Sequence, residues 1–126
     1  MIKTTIAILL LASPTLAAEM KVHRDLAYTA PADKARRIDV YAPTKGKNHP
    51  IFFWIHGGGW RRGDKAGVQH KPQALVGSKG FVFVSTNYRF VPNVTVEEQT
   101  SDIAKAIKWV HDHADEYDND MPSVLR

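Results

Sequence analysis

Ile51-Phe52-Phe53-Trp54-Ile55-His56-Gly57-Gly58-Gly59-Trp60 is the stretch that decides the fold. Its first five residues form a continuous apolar run of β-branched and aromatic side chains. Such a run, without polar alternation, fits a strand buried on both faces, as in a parallel sheet. Three glycines then end it. Lacking a Cβ, they let the backbone turn sharply and bring its N–H groups close to a ligand.

The segments on either side read as an alternation of strands and helices. Arg37 to Tyr41 alternates polar and apolar residues, as a half-buried strand does. Ala42 to Pro50 is a turn-forming linker. Val68 to Ser78 is a weaker helical stretch, with Gly80 suited to the C′ position beyond it. Phe81 to Thr86 is a second apolar strand, and Asn87 to Asn93 is a loop. In the helix that follows, Val96, Thr100, Ile103, Ile107, Val110, Ala114 and Tyr117 recur in steps of four and three, which predicts one inward face. Thr95 is its expected N-cap, with Glu98 completing a capping box. Glu97, Glu98 and Asp102 suit the positive end of the helix dipole. Asp118 to Pro122 reads as a turn, and Ser123 to Arg126 as the entry to another strand. The expected architecture is α/β: a mostly parallel sheet with helices on both faces.

The chemistry resides in His56-Gly57-Gly58-Gly59-Trp60. In ester hydrolysis the carbonyl oxygen turns negative in the tetrahedral intermediate, and fixed N–H donors aimed at it lower the barrier. A phosphate-binding loop is a rival, but neither G-x-G-x-x-G nor G-x-x-x-x-G-K occurs. A plain glycine-rich turn is the other. A buried strand leading into HGGG favours an oxyanion loop over both.

Ile55 to Lys65 resembles the oxyanion-loop block of the HGGG-type α/β-hydrolases. These include the hormone-sensitive-lipase-like carboxylesterases and the bacterial bifunctional deacetylase/feruloyl-esterase-like group. Trp60-Arg61-Arg62-Gly63-Asp64 points to the latter. Gly80 to Arg89, and Asp102 through Trp109-Val110 to Glu116-Tyr117, extend the resemblance, which covers about Val40 to Tyr117. It implies that Gly58 and Gly59 are the oxyanion donors and that Gly57 shapes the turn. It also implies that His56 orients the loop without being the catalytic base, and that Trp60 supports it. The implied activity is carboxylic-ester hydrolysis of the acetyl or feruloyl type, with no metal or organic cofactor and a small-molecule ester as substrate of a full-length relative. An arylformamidase-like amidase and a non-catalytic remnant or binding module are the alternatives.

The family's nucleophile sits in G-x-S-x-G after the next strand. That motif is absent, since Ser78, Ser85, Ser101 and Ser123 lack the flanking glycines and Ser13 falls in the leader. No catalytic nucleophile, acid or base is therefore assigned, and the fold is expected to be partial, stopping before the nucleophile strand. An apolar strand left with an open edge would favour self-association.

Met1 to Lys3 gives a positive start, Ile6 to Ala12 an apolar run, and Thr15 to Ala18 small residues after Pro14. This is the pattern of a signal peptide over 1–18, with cleavage after Ala17 or Ala18 and a secreted or periplasmic product. Residues 19–126 are then the N-terminal portion of the hydrolase domain. The apolar run is well short of the ~20 residues that span a membrane. With no cysteine, neither disulfides nor thiolate metal sites arise. The net charge of +4 divides unevenly, with 13 basic and 5 acidic residues between Glu19 and Val96. The basic residues are scattered without interleaved aromatics, so they read as a solvated surface and not a nucleic-acid site. His111 and His113 lie two apart on a helix and point to different sides, which argues against a metal. Asp102 reads as a cap or ion-pair partner. Tyr88 and Arg89 read as residues that fix their loop against the helix, and Trp54, Trp60 and Trp109 as packing.

Overall fold

Four strands form one sheet in the order β1-β2-β4-β3 in the computed structural model, which describes residues 19–117. They are β1 (Met20–Ala27), β2 (Arg37–Pro43), β3 (Ile51–Ile55) and β4 (Val82–Thr86). The expected signal peptide and the turn and strand entry after Tyr117 lie outside the described residues. β4 is buried at every position, as an apolar run at the centre of a sheet should be. β3 runs parallel to β4 in unbroken register from Ile51↔Val82 to Ile55↔Thr86. β2 pairs antiparallel with both β1 and β4. The sheet is therefore mixed, a correction to the mostly parallel expectation. Only β3 and β4 are joined through a helical crossover, which is what a parallel pair requires.

β3 brings a second correction. It lies at an edge among the described strands, and none of its residues is fully buried, with Phe52 40% exposed on one face and Ile55 45% exposed on the other. A strand with one neighbour cannot cover both of its apolar rows.

Alternate residues of β2 and β4 feed two cores on opposite faces. Ile38, Val40, Val82 and Val84 pack with Ala106 and Val110 of α1 (Val96–Asp112). Tyr41 and Phe83 pack with Val68 and with Val76 of a π-helix, Gln73–Ser78. Helices flank both faces, as expected. The π-helix starts later than the sequence suggests, because Gln69 takes a left-handed φ of +54°. Gly80 occupies C′ at φ +69°, and its N–H donates to the Val76 carbonyl at 3.2 Å.

α1 opens on the expected capping box. The Glu98 N–H donates to Thr95 Oγ1 at 3.2 Å, and the Thr95 N–H donates to Glu98 Oε2 at 2.8 Å. Thr95→Ala should cost about 1 kcal/mol, read as a lower urea midpoint at unchanged slope. The inward face differs from the expected one. Gln99, Asp102, Ala106 and Val110 are buried, whereas Val96 and Ile107 are 55% and 49% exposed. Gln99 and Asp102 have hydrogen-bond partners beneath the helix, and turning them inward rotates part of the apolar stripe away from the sheet. The four-residue α2 (Ala114–Tyr117) follows, and the Tyr117 ring meets His23 of β1 edge-on at 4.7 Å. Among the described residues no helix is long and apolar enough to cross a membrane.

Candidate functional site

The glycine loop leaves the sheet at Ile55, level with Thr86 at the end of β4. Gly58 and Gly59 adopt φ of +136° and +61°. A Cβ on Gly58 would run into the Arg62 carbonyl, so only glycine fits there. Gly57 needs no left-handed φ and has open space where a Cβ would stand. Trp60 is left-handed too, at φ +62°, an uncommon state for a bulky residue that its surroundings must hold. They do so through its carbonyl, which accepts from the Val91 N–H at 3.1 Å and from Gln99 Nε2 at 2.8 Å. Gln99 Nε2 also donates to the Arg89 carbonyl at 2.9 Å, so one side chain of α1 ties the glycine loop to the segment after β4. The Gly58 carbonyl accepts from the Arg61 N–H at 3.3 Å. All these anchors fall on carbonyls; none uses the N–H of Gly58 or Gly59.

His56 is buried beneath the loop. Its Nδ1–H donates to the Gly57 carbonyl at 2.8 Å. Its ring stacks on Tyr88 at 4.7 Å, and the Tyr88 hydroxyl donates to the His56 carbonyl at 2.9 Å. Gly63, at φ +122°, lies so close to this ring that a Cβ would collide with it and with the Gly57 carbonyl. Arg89 forms a two-pronged ion pair with the buried Asp102, both contacts at 2.8 Å, and Asp102 also accepts from the Arg89 N–H at 3.2 Å. Tyr88, Arg89 and Asp102 thus fix the segment after β4 as expected.

The residues after Gly63 explain themselves in the same way. The Asp64 carboxylate accepts from the Ala66 N–H at 2.7 Å and from Asn87 at 3.2 Å, which holds its pKa below the usual range. Lys65 is buried, and its ammonium reaches Asp39 at 2.8 Å and Asp25 at 2.9 Å. Burial works against its charge, but the hydrogen bonds to Asp39 and Asp25 outweigh that and leave its pKa raised. The Lys65–Asp39 pair, Gln99 and Gly63 were missed by sequence reasoning. A lysine after Gly-Asp and an aspartate in an alternating strand carry no local sign that they will meet.

Trp60 departs from the packing expectation, because its side chain is 65% exposed at the rim of the loop. Trp54 stacks on Phe83 and Trp109 on His113, consistent with packing. Between the loop and α1 lies a cleft of about 470 Å³, bounded by Gly58, Gly59, Trp60, Ile55, Val96 and Ile103. No Asp, Glu, Lys or Arg lines it. It can accept a neutral group and offer backbone N–H to an oxygen gaining charge.

Residues 38–125 match the family described as BD-FAE. The chain belongs to the BD-FAE family. Its match starts in β2 and takes in the glycine loop, β4 and α1. The probable carboxylic ester hydrolase LipM of Mycobacterium tuberculosis is 35% identical over 71 residues, 56% of this chain and 16% of that protein. The carboxylesterase NlhH of Mycobacterium tuberculosis is 31% identical over 116 residues, 88% of this chain and 35% of that protein. Esterase B of Lactobacillus rhamnosis superposes on 81% of this chain with a TM-score of 0.69 at 24% identity, a likeness of fold. The fold is a partial α/β-hydrolase fold. This BD-FAE chain spans roughly a third or less of these relatives' own length.

Proposed function

We propose that this BD-FAE chain supplies the oxyanion half of an exported serine-type carboxylic-ester hydrolase acting on acetyl or feruloyl esters. The observation that carries the reading is the pair of left-handed glycines, Gly58 and Gly59, held by bonds to the loop's carbonyls. Their N–H groups remain for the tetrahedral oxygen. A serine from outside these residues would attack the ester carbonyl, and a histidine would take its proton and pass it to the leaving alcohol. The uncharged cleft suits a neutral ester. His56 and Gly63 support this by wedging the loop from below, and Trp60 stands at the substrate side.

The test is a chimera of residues 19–126 with the remainder of a BD-FAE relative from its nucleophile strand onward. It is expected to hydrolyse p-nitrophenyl acetate, whereas the 126-residue chain alone stays at background for want of G-x-S-x-G. A folded chimera without turnover overturns the reading, and one that cleaves only an anilide makes it an amidase. Turnover by the chain alone, lost on Ser78→Ala, Ser85→Ala, Ser101→Ala or Ser123→Ala, would mean that the nucleophile lies within it. For export, N-terminal sequencing should begin at Ala18 or Glu19; a product retaining Met1 counts against it.

A further inference from the structure

Most arginines of the chain are spent on the fold. Arg24 reaches Asp39 and the Tyr41 hydroxyl, Arg36 pairs with Asp33, Arg37 donates to the Asp25 carbonyl, and Arg89 grips Asp102. Among the described residues only the guanidinium groups of Arg61 and Arg62 have no hydrogen bond, ion pair or ring contact. Adjacent like charges do nothing for each other, and their planar forks of donors suit a carboxylate. The nearest carboxylate along the chain, Asp64, is already taken by the Ala66 N–H and by Asn87. Both arginines are fixed to the glycine turn. The Arg61 N–H donates to the Gly58 carbonyl at 3.3 Å, and Arg62 Cγ lies 3.2 Å from where a Cβ on Gly58 would stand. Trp60 comes between them and the glycines in the chain, its backbone held left-handed and its side chain at the rim of the cleft. From the cleft outward the loop therefore offers backbone N–H, then a ring, then two positive charges.

We infer that the ester accepted here carries a carboxylate one ring away from its reacting carbonyl. The carbonyl oxygen meets the N–H groups of Gly58 and Gly59, the ring lies on Trp60, and the carboxylate meets Arg61 and Arg62. The reacting group stays neutral, in keeping with a cleft that no Asp, Glu, Lys or Arg lines. Two substrate chemistries share this layout, an acylated uronate sugar and an acylated arene carboxylate. The bond that is cleaved rests on the hydrolase reading; the recognition of the carboxylate does not. The carboxylate is remote from the charge that develops in the reaction, so it is held equally in ground and transition state, and the preference falls on KM and not on kcat.

In the chimera, the KM for 4-acetoxybenzoate should lie about tenfold below that for its methyl ester, or the KM for an acetylated methyl glucuronoside about tenfold below that for the matching glucoside. The pair that shows the preference identifies the ring. Arg61→Gln combined with Arg62→Gln should bring the ratio to parity, and added salt should shrink it. The chimera contains the remainder of the domain, so carboxylates supplied from there to the two arginines would erase the preference. Equal KM values within both pairs, or a preference that survives the double substitution, overturns the inference and leaves hydrolysis intact. A chimera that turns over none of these esters removes the hydrolase reading alone, and binding to the 126-residue chain then decides. Trigalacturonate should shift the Trp60 indole N–H resonance, assigned with Trp60→Phe, and its methyl ester should not. An equal response to both, or a shift that persists in the double variant, overturns the inference.

Discussion

Asp39→Ala should destabilise the fold by about 3–5 kcal/mol, a large part of the ~5–15 kcal/mol that holds a domain together. Asp39 is fully buried, and its carboxylate takes the Lys65 ammonium at 2.8 Å and the Asp25 N–H at 2.9 Å. Removing it leaves a buried ammonium facing only Asp25, whose side chain is mostly exposed. An uncompensated buried charge is far dearer than the pair is valuable, so Asp39→Ala combined with Lys65→Met should recover much of the loss. Asp25→Ala should cost much less than Asp39→Ala, because its carboxylate is exposed and screened by water. Urea unfolding of the four proteins decides it, and equal losses for Asp39→Ala and Asp25→Ala would refute the account. The sign with pH follows from Lys65. Its pKa is raised above the ordinary 10.5, so its contribution is complete below that value and is lost as pH climbs through the raised one. The wild type should weaken in strong alkali, and the double variant should lose that alkaline step.

In the chimera, Gly58→Ala should lower kcat by about 10²–10³. A Cβ at φ +136° is strained, and it would also occupy the place of the Arg62 carbonyl, so the peptide has to rotate and carry the Gly58 N–H off the oxyanion. In the proposed role that donor acts on charge that develops only in the transition state. The fall should therefore appear in kcat, with KM nearly constant. Gly77→Ala is the control: the position lies in the π-helix, and a Cβ there would meet nothing. A Gly58→Ala chimera that melts with its parent and keeps kcat within a few-fold would remove Gly58 from the chemistry.

What the sequence disclosed was whatever local chemistry sets. The run through Val82, Phe83 and Val84 announced a central strand, and Thr95 with Glu98 announced the start of α1. The facing of α1 was not legible. Its apolar residues outvote Gln99 and Asp102 by count, yet those two have hydrogen-bond partners on a segment at least ten residues earlier. β3 looked buried on both sides because a strand's composition does not state how many neighbours it has. β1 stayed unseen because an edge strand can carry Lys21, Arg24 and Asp25 and still pair on its other side. At the site the glycines stood out at once. Gly63 did not, since its need for glycine comes from the His56 ring and not from its own turn.

The grip of Gln99 and Tyr88 on the glycine loop means that, in the proposed hydrolase, the loop's rigidity would be acquired during folding and not during turnover. Donors already immobile need no rearrangement as charge appears, so little activation entropy should be lost at this step. It also alters what counts as the transplantable unit in building new hydrolases. Grafting His56 to Trp60 alone would move a floppy peptide. Grafting the span from β3 to the second turn of α1 would move the loop together with its own scaffolding.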